Sequence, residues 1–147
     1  GYHISMPNQD GIQRAIEGAL KNAGMGPGEI DYICAHATST PAGDAVEAES
    51  ISHVFGPKTP LVSSLKSMTG HELWMSGASQ VVYSVIMSRE GFIAPNINFE
   101  TPDESSKKLN IVRETMHRPP GTVLCNSAGF GGTNACLVLD FRGGSPQ

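Results

Sequence analysis

Apolar positions recur along this chain at two spacings, and the switches between them divide it into elements. Ile12, Ala15, Ile16, Ala19, Leu20 and Ala23 fall three or four residues apart, the period of one helix face. Asp10 with Gln13 reads as a capping box at its start and Gly24 as its stop. After a turn over 25–29, the run Ile30 to Ala35 predicts a buried strand that ends at His36. Thr40 and Pro41 then suit the cap and first position of a second helix, with Asp44 and Glu47 placed in its positive first turn. Its apolar side is Ala45, Ala48, Ile51, Val54 and Phe55, and Gly56 follows its end. A strand-length stub, Pro60 to Ser63, runs into a polar turn carrying Lys66, Thr69, Gly70 and His71. The stretch from Trp74 to Arg89 is helix-like and apolar nearly all round, the mark of a helix covered on more than one side.

Further on, the pattern turns irregular and then strand-like. Gly91 to Asn98 is extended and interrupted by Pro95, Thr101 to Lys108 is a polar loop, and Asn110 to Val112 is a short extended piece. Thr122 to Asn126 and Ala135 to Phe141 predict two core strands joined by the glycine-rich segment 127–134. Residues 1–9 form no periodic element and begin as if cut from something longer, and 142–147 reads as a frayed tail.

Composition narrows the class. A chain of 147 residues is one domain's worth, with 39% hydrophobic and 16% charged residues, 17 Gly and 10 Pro. So few charges beside so many small residues imply a surface meant to be covered in part by another domain or partner. The net charge of −4 and the lack of any Lys/Arg run argue against nucleic acid. No apolar stretch reaches membrane-span length, and no signal-peptide pattern is present. Three cysteines without paired spacing fit a reducing compartment rather than a disulfide or zinc scaffold. The expectation is a cytoplasmic α/β protein.

The candidate chemistry lies at the corners. His36 stands where a strand hands over to a helix, and His71 lies at a second such corner, five residues after Lys66. Open α/β sheets bind ligands at the carboxyl ends of their strands, where two such corners can converge. Taken alone, Lys66 and His71 are as simply read as a solvated polar connection. Gly129-Phe130-Gly131-Gly132 is followed by a strand, not the helix a dinucleotide loop needs, so its glycines instead let backbone approach a substrate closely, with Phe130 as the bulky group. His36, His53 and His71 lack a carboxylate or Cys at ligand spacing, so no metal is expected. His3, His53 and His117 read as surface residues. Cys34 and His36 can share a strand face as a nucleophilic pair, yet Cys34, Cys125 and Cys136 all fall in apolar strands, where burial keeps a thiol inert.

Three motifs, taken together, resemble a known family. His36-Ala37-Thr38-Ser39-Thr40-Pro41-Ala42-Gly43-Asp44, Lys66-Ser67-Met68-Thr69-Gly70-His71 and Gly129-Phe130-Gly131-Gly132-Thr133-Asn134 resemble the C-terminal motifs of β-ketoacyl-[acyl-carrier-protein] synthases. Gly91 to Asn98 and Leu109 to Val112 look most like the type I bacterial branch. The resemblance covers residues 2–140 and implies the C-terminal half of a thiolase-like fold, a mixed β-sheet flanked by helices. It implies decarboxylative Claisen condensation of an acyl thioester with malonyl-acyl carrier protein, in fatty-acid or polyketide synthesis. His36 and His71 match the pair that donates to the thioester oxygen as carbon dioxide leaves, and Lys66 matches the Lys that organises the second His. Thr38 and Thr40 match the threonines that bind the pantetheine arm. Phe130, between Gly129 and Gly131, matches the residue that lends its N–H to an oxyanion hole and gates the acyl pocket. The implied partners are acyl carrier protein, an N-terminal half bearing the nucleophilic Cys, and a second subunit in a homodimer or heterodimer, with no resident cofactor.

The chain departs from that pattern at Ala37, Trp74 and Ala128, where the family usually has Gly, Gly and Phe, and at Gln80 and Cys34, where it has Glu and Asn. The last two lie near a monovalent cation in the type I branch, so that ion is not carried over. Two rivals share the fold. A chain-length-factor-like partner subunit often loses the histidines that this chain keeps, and a degradative thiolase uses Cys/His/Cys chemistry in place of the Lys66 and His71 motif.

Overall fold

The computed structural model describes residues 3–143. The last four residues of the expected tail, 144–147, lie outside the described residues. The chain runs through α1 (Gln9–Ala23), β1 (Tyr32–Cys34), α2 (Pro41–Phe55), β2 (Leu61–Ser63), the single turn α3 (Lys66–Thr69), α4 (Ser76–Glu90), β3 (Asn110–Ile111), β4 (Thr122–Gly129) and β5 (Thr133–Asp140). The strands form one mixed sheet in the order β3-β2-β1-β4-β5. β3, β2, β1 and β4 are parallel, with Cys34 opposite both Ser63 and Cys125. β5 returns antiparallel to β4. The expected mixed sheet flanked by helices is the observed architecture.

Alternation along β1 divides the core into two layers. Ile33 and Ala35 face α1 and α2 and pack with Ile12, Ile16, Leu20, Ile51 and Phe55. Tyr32 and Cys34 face the other way, with Val123, Cys125, Leu65, Ile93 and Met87 of α4. Helices therefore cover both faces of the central strands, which is why β1 is buried at every residue.

Helix ends follow the expected stops better than the expected starts. Gly24 closes α1 in the left-handed conformation, φ 66°. The start is set by Asn8, whose side chain accepts from Gly11 N at 3.2 Å, rather than by an Asp10/Gln13 box. Thr40 does occupy the cap position of α2, but its hydroxyl meets Thr38 Oγ1 at 3.0 Å and makes no capping bond. Glu47 lies in the second turn of α2, away from the orphan N–H groups of the helix start.

The apolar stretch from Trp74 is a 3₁₀ turn (Leu73–Met75) followed by α4 from Ser76. α4 buries Ser76, Ser79, Gln80, Ser84 and Met87, while Val82 and Ile86 are exposed. The close approach of helix and sheet explains this choice: a Cβ on Gly77 would meet Ser127 Oγ at 3.4 Å, and Ser84 Oγ lies 3.5 Å from Cys125 Sγ, so small side chains fit where Val and Ile would not. β5, expected in the core, is an edge strand with alternating burial. The strand pair is also longer than its apolar runs, and the joining segment shrinks to Phe130–Gly132, where Gly131 and Gly132 take φ of 80° and 84°. Among the described residues no helix is long and apolar enough to cross a membrane.

Candidate active site

The site grows from the carboxyl edge of the sheet. β1 ends at Cys34, and Ala35 still donates to Ser63 O at 3.0 Å. Beyond it Glu47 takes over: its carboxylate accepts from His36 N at 2.8 Å, Ala37 N at 2.7 Å and Asn126 Nδ2 at 2.6 Å. Glu47 is only 4% exposed, and burial raises its carboxyl above the usual range despite those bonds. The carbonyl of His36 accepts from Lys66 Nζ. The half-buried Lys66 is lowered, first by desolvation, with the Glu47 charge opposing.

His71 follows Gly70, whose φ of 76° turns the chain out of α3. Its Nδ1 lies 3.0 Å from Leu73 N and 3.1 Å from Ser76 Oγ. A backbone N–H can only donate, so Nδ1 carries a lone pair and the proton of the neutral ring sits on Nε2. Leu73 reaches this position with φ 54°, a conformation that a non-glycine residue adopts only under tertiary constraint. The His36 and His71 rings meet edge to face, their centroids 5.7 Å apart and their planes at 86°. His36 is held neutral, its pKa lowered to about 4 by burial first and then by the Lys66 charge. The arrangement can present two uncharged imidazoles to one oxygen.

The other singled-out residues take up varied positions. Thr38 and Thr40 lie on the loop into α2 with their hydroxyls paired, and a Cβ on Gly43 would collide with Thr40 Oγ1. Gly129 ends β4, and Gly131 N donates to Ile4 O at 2.8 Å. Phe130 stands at the hairpin tip, 79% exposed. Cys34 is fully buried on the α4 face. Its thiol is pushed well up, first by its contact with Cys125 and then by burial. Burial also raises Cys136, to about 12. Cys125 departs from the expectation that burial raises every thiol: the same contact with Cys34 lowers it, against desolvation. His3, His53 and His117 are exposed, and among the described residues no group of three or more His, Cys, Asp or Glu is placed to hold a metal.

Sequence reasoning gave Glu47 only a place in the helix dipole, noted Gln80 only as a departure from the family pattern, and passed over Asn126. An acid on the helix face that also carries Ser50 and Ile51 was the available signal for Glu47, because a carboxylate there must be satisfied by the ends of the sheet. Gln80 Nε2 donates to Ala35 O at 3.0 Å and Asn126 O at 3.1 Å.

A sheet edge carrying two facing imidazoles, with a Lys bonded to the backbone carbonyl of one of them, has groups that acid-base chemistry or oxyanion stabilisation would use. The sequence profile of "Beta-ketoacyl synthase, C-terminal domain" matches residues 1–100, and the chain belongs to that family. It is 46% identical over 139 residues to 3-oxoacyl-[acyl-carrier-protein] synthase 1 of Escherichia coli (strain K12), covering 95% of this chain and 34% of that protein. Among solved structures it resembles the ishigamide ketosynthase/chain length factor, at TM-score 0.89 and 37% identity over 94% of this chain and 34% of that one. It also resembles AntDE:AntF, a type II polyketide synthase acyl-carrier protein in complex with its ketosynthase, at TM-score 0.87 and 33% identity over 95% of this chain and 35% of that one. The fold is thus that of the C-terminal part of the thiolase-like ketosynthases. The chain spans about a third of the length of these relatives, not the half expected from its motifs.

Proposed function

We propose that this chain is the C-terminal part of a ketosynthase that condenses an acyl thioester with a malonyl group on acyl carrier protein, losing carbon dioxide. The observation that carries this reading is the facing pair of neutral imidazoles, one with its proton directed to Nε2 by Leu73 N. As the malonyl carboxylate leaves, the breaking C–C bond delivers its electron pair to the thioester carbonyl, and the new enolate oxygen needs donors already in place. His36 and His71 supply them without carrying a charge of their own. The carbanion then attacks the acyl thioester carbon and expels the thiolate that held it. That thiolate belongs to the N-terminal part of the enzyme in this reading, since Cys34 and Cys125 are buried in the sheet and burial raises the half-buried Cys136 to about 12.

Lys66 holds the His36 carbonyl, Thr38 and Thr40 receive the pantetheine arm, and Phe130 with its glycine neighbours completes the oxyanion hole and gates the acyl pocket. The reading places the protein in the cytoplasm, as a homodimer or a ketosynthase heterodimer served by acyl carrier protein, with no resident cofactor. Retention of His36, Lys66 and His71 favours a catalytic subunit over a chain-length-factor-like partner. The experiment is to substitute His71→Ala in the complete protein and follow its two half-reactions separately. Carbon dioxide release from malonyl-acyl carrier protein should fall about 100- to 1000-fold while acyl transfer to the enzyme thiol is kept. Release within a few-fold of wild type would show that His71 is structural.

A further inference from the structure

We propose that Gln80 is a positioning residue for the two-histidine site, locking the peptide plane that leads into His36. The inference rests on the reading of that site given above. The ladder between β1 and β4 ends at the pair Cys34 and Cys125. One residue further on, the carbonyls of Ala35 and Asn126 both lie within hydrogen-bond reach of the Gln80 amide, and no strand bond joins them. Two carbonyl oxygens held together repel unless a donor with two hydrogens stands between them. The Gln80 NH₂ is that donor, at 3.0 Å from Ala35 O and 3.1 Å from Asn126 O. Only this orientation of the amide is compatible with two acceptors. The side chain is nearly inaccessible, and its Oε1 is left buried without a partner.

The Ala35 carbonyl belongs to the same peptide unit as the His36 N–H. That N–H is taken by Glu47, which reaches the sheet edge from α2 on the opposite face. One peptide plane is therefore gripped at its oxygen from α4 and at its nitrogen from α2, and the His36 carbonyl beyond it is held by Lys66. Asn126 is gripped in the same way, its carbonyl by Gln80 and its carboxamide by Glu47. Asn126 lies four residues before Phe130 on β4, so the amide also ties the root of the hairpin to the root of the His36 loop. Neither amide atom of Gln80 is hydrogen-bonded to an imidazole. Its action is on where the strand ends point.

The test uses the complete protein with Gln80→Met, which keeps the volume and removes both donors, and Gln80→Glu, which sets a carboxylate against the two carbonyls. For Gln80→Met, kcat for malonyl-acyl carrier protein decarboxylation should fall by about 10- to 100-fold, the cost of a small misplacement of reacting groups. KM should stay within about twofold of wild type on the same reasoning. Gln80→Glu should lose at least as much. Hydrogen exchange should quicken in peptides spanning 35–37 and 126–129 in both variants. A side chain that merely fills space would leave Gln80→Met within about twofold of wild type in kcat, and that result overturns the proposal; should Gln80→Met fail to fold, wild-type kcat in Gln80→Glu does the same. If the wild-type protein releases no carbon dioxide, the proposed reaction falls, and exchange alone decides for Gln80: unchanged protection at both segments overturns it and quickened exchange upholds it.

Discussion

At the scale of single residues the charge state of the imidazoles matters most, because the proposed reaction asks two neutral rings to donate to a developing enolate oxygen. His36 should titrate with a midpoint near 4, so its ring resonances should keep their neutral positions through the mildly acidic range in an NMR titration. A midpoint near the ordinary 6.5 would mean the site is wetter than its burial and the Lys66 charge imply. The sign of the linked stability follows. With the folded pKa below the unfolded one, the unfolded chain binds the proton first as the pH drops. The contribution of neutral His36 is thus complete above about 6.5 and is lost as the pH falls towards about 4. Glu47, with its raised carboxyl, works in the opposite sense. Comparing wild type with His36→Asn by denaturation across this window isolates the His36 part: acidification should shift their stability difference against wild type, and a pH-independent difference would contradict it.

Elements raise a different question, that of what starts and stops each one. The α1 start depends on one side chain, Asn8, while Asp10 faces solvent and pairs with Arg14 along the helix at 2.5 Å. Asn8→Ala should therefore cost about 1 kcal/mol of stability, the usual worth of an N-cap. Asp10→Ala should cost less, about 0.5 kcal/mol, since an exposed i,i+4 pair and the dipole interaction are both weak. Urea midpoints of the two variants test this, and the reverse order would restore Asp10 as the cap. The choice was hard to make from sequence because Asn8 and Asp10 are both good caps with similar downstream spacing. What separates them is the path of residues 3–8, which the tertiary structure sets.

On the scale of the whole molecule, the apolar surface is concentrated on α4 and the turn before it. Trp74 is fully exposed, Leu73 and Met75 are exposed on the same turn, and Val82 and Ile86 are exposed on α4. Large apolar side chains exposed along one turn and helix favour association. Residues 1–147 produced alone should self-associate at micromolar concentration by sedimentation velocity, and Val82→Glu with Ile86→Lys should reduce the association. The same chain should take up no acyl group when incubated with an acyl thioester or cerulenin and weighed intact, because Cys34 and Cys125 are closed off and the Cys136 thiol is pushed up to about 12. A stoichiometric native adduct on Cys34 would revive the Cys34/His36 nucleophile.

The local pattern determined the element order, the Gly24 and Gly56 stops, the two strand-to-helix corners and the three motifs that carry the family resemblance. These depend on neighbours within a turn or two, where periodicity and glycine chemistry act directly. Only the tertiary structure decided which face of α4 is buried. Its apolar residues, spread nearly all round, predicted cover on more than one side, and the close approach of helix and sheet buried Ser79, Gln80 and Ser84 instead. Burial of Glu47, likewise, depends on Asn126, 79 residues away, and on two backbone N–H groups that β1 leaves unpaired. A buried polar group is settled by partners distant in the chain, and no local spacing encodes where those partners will be.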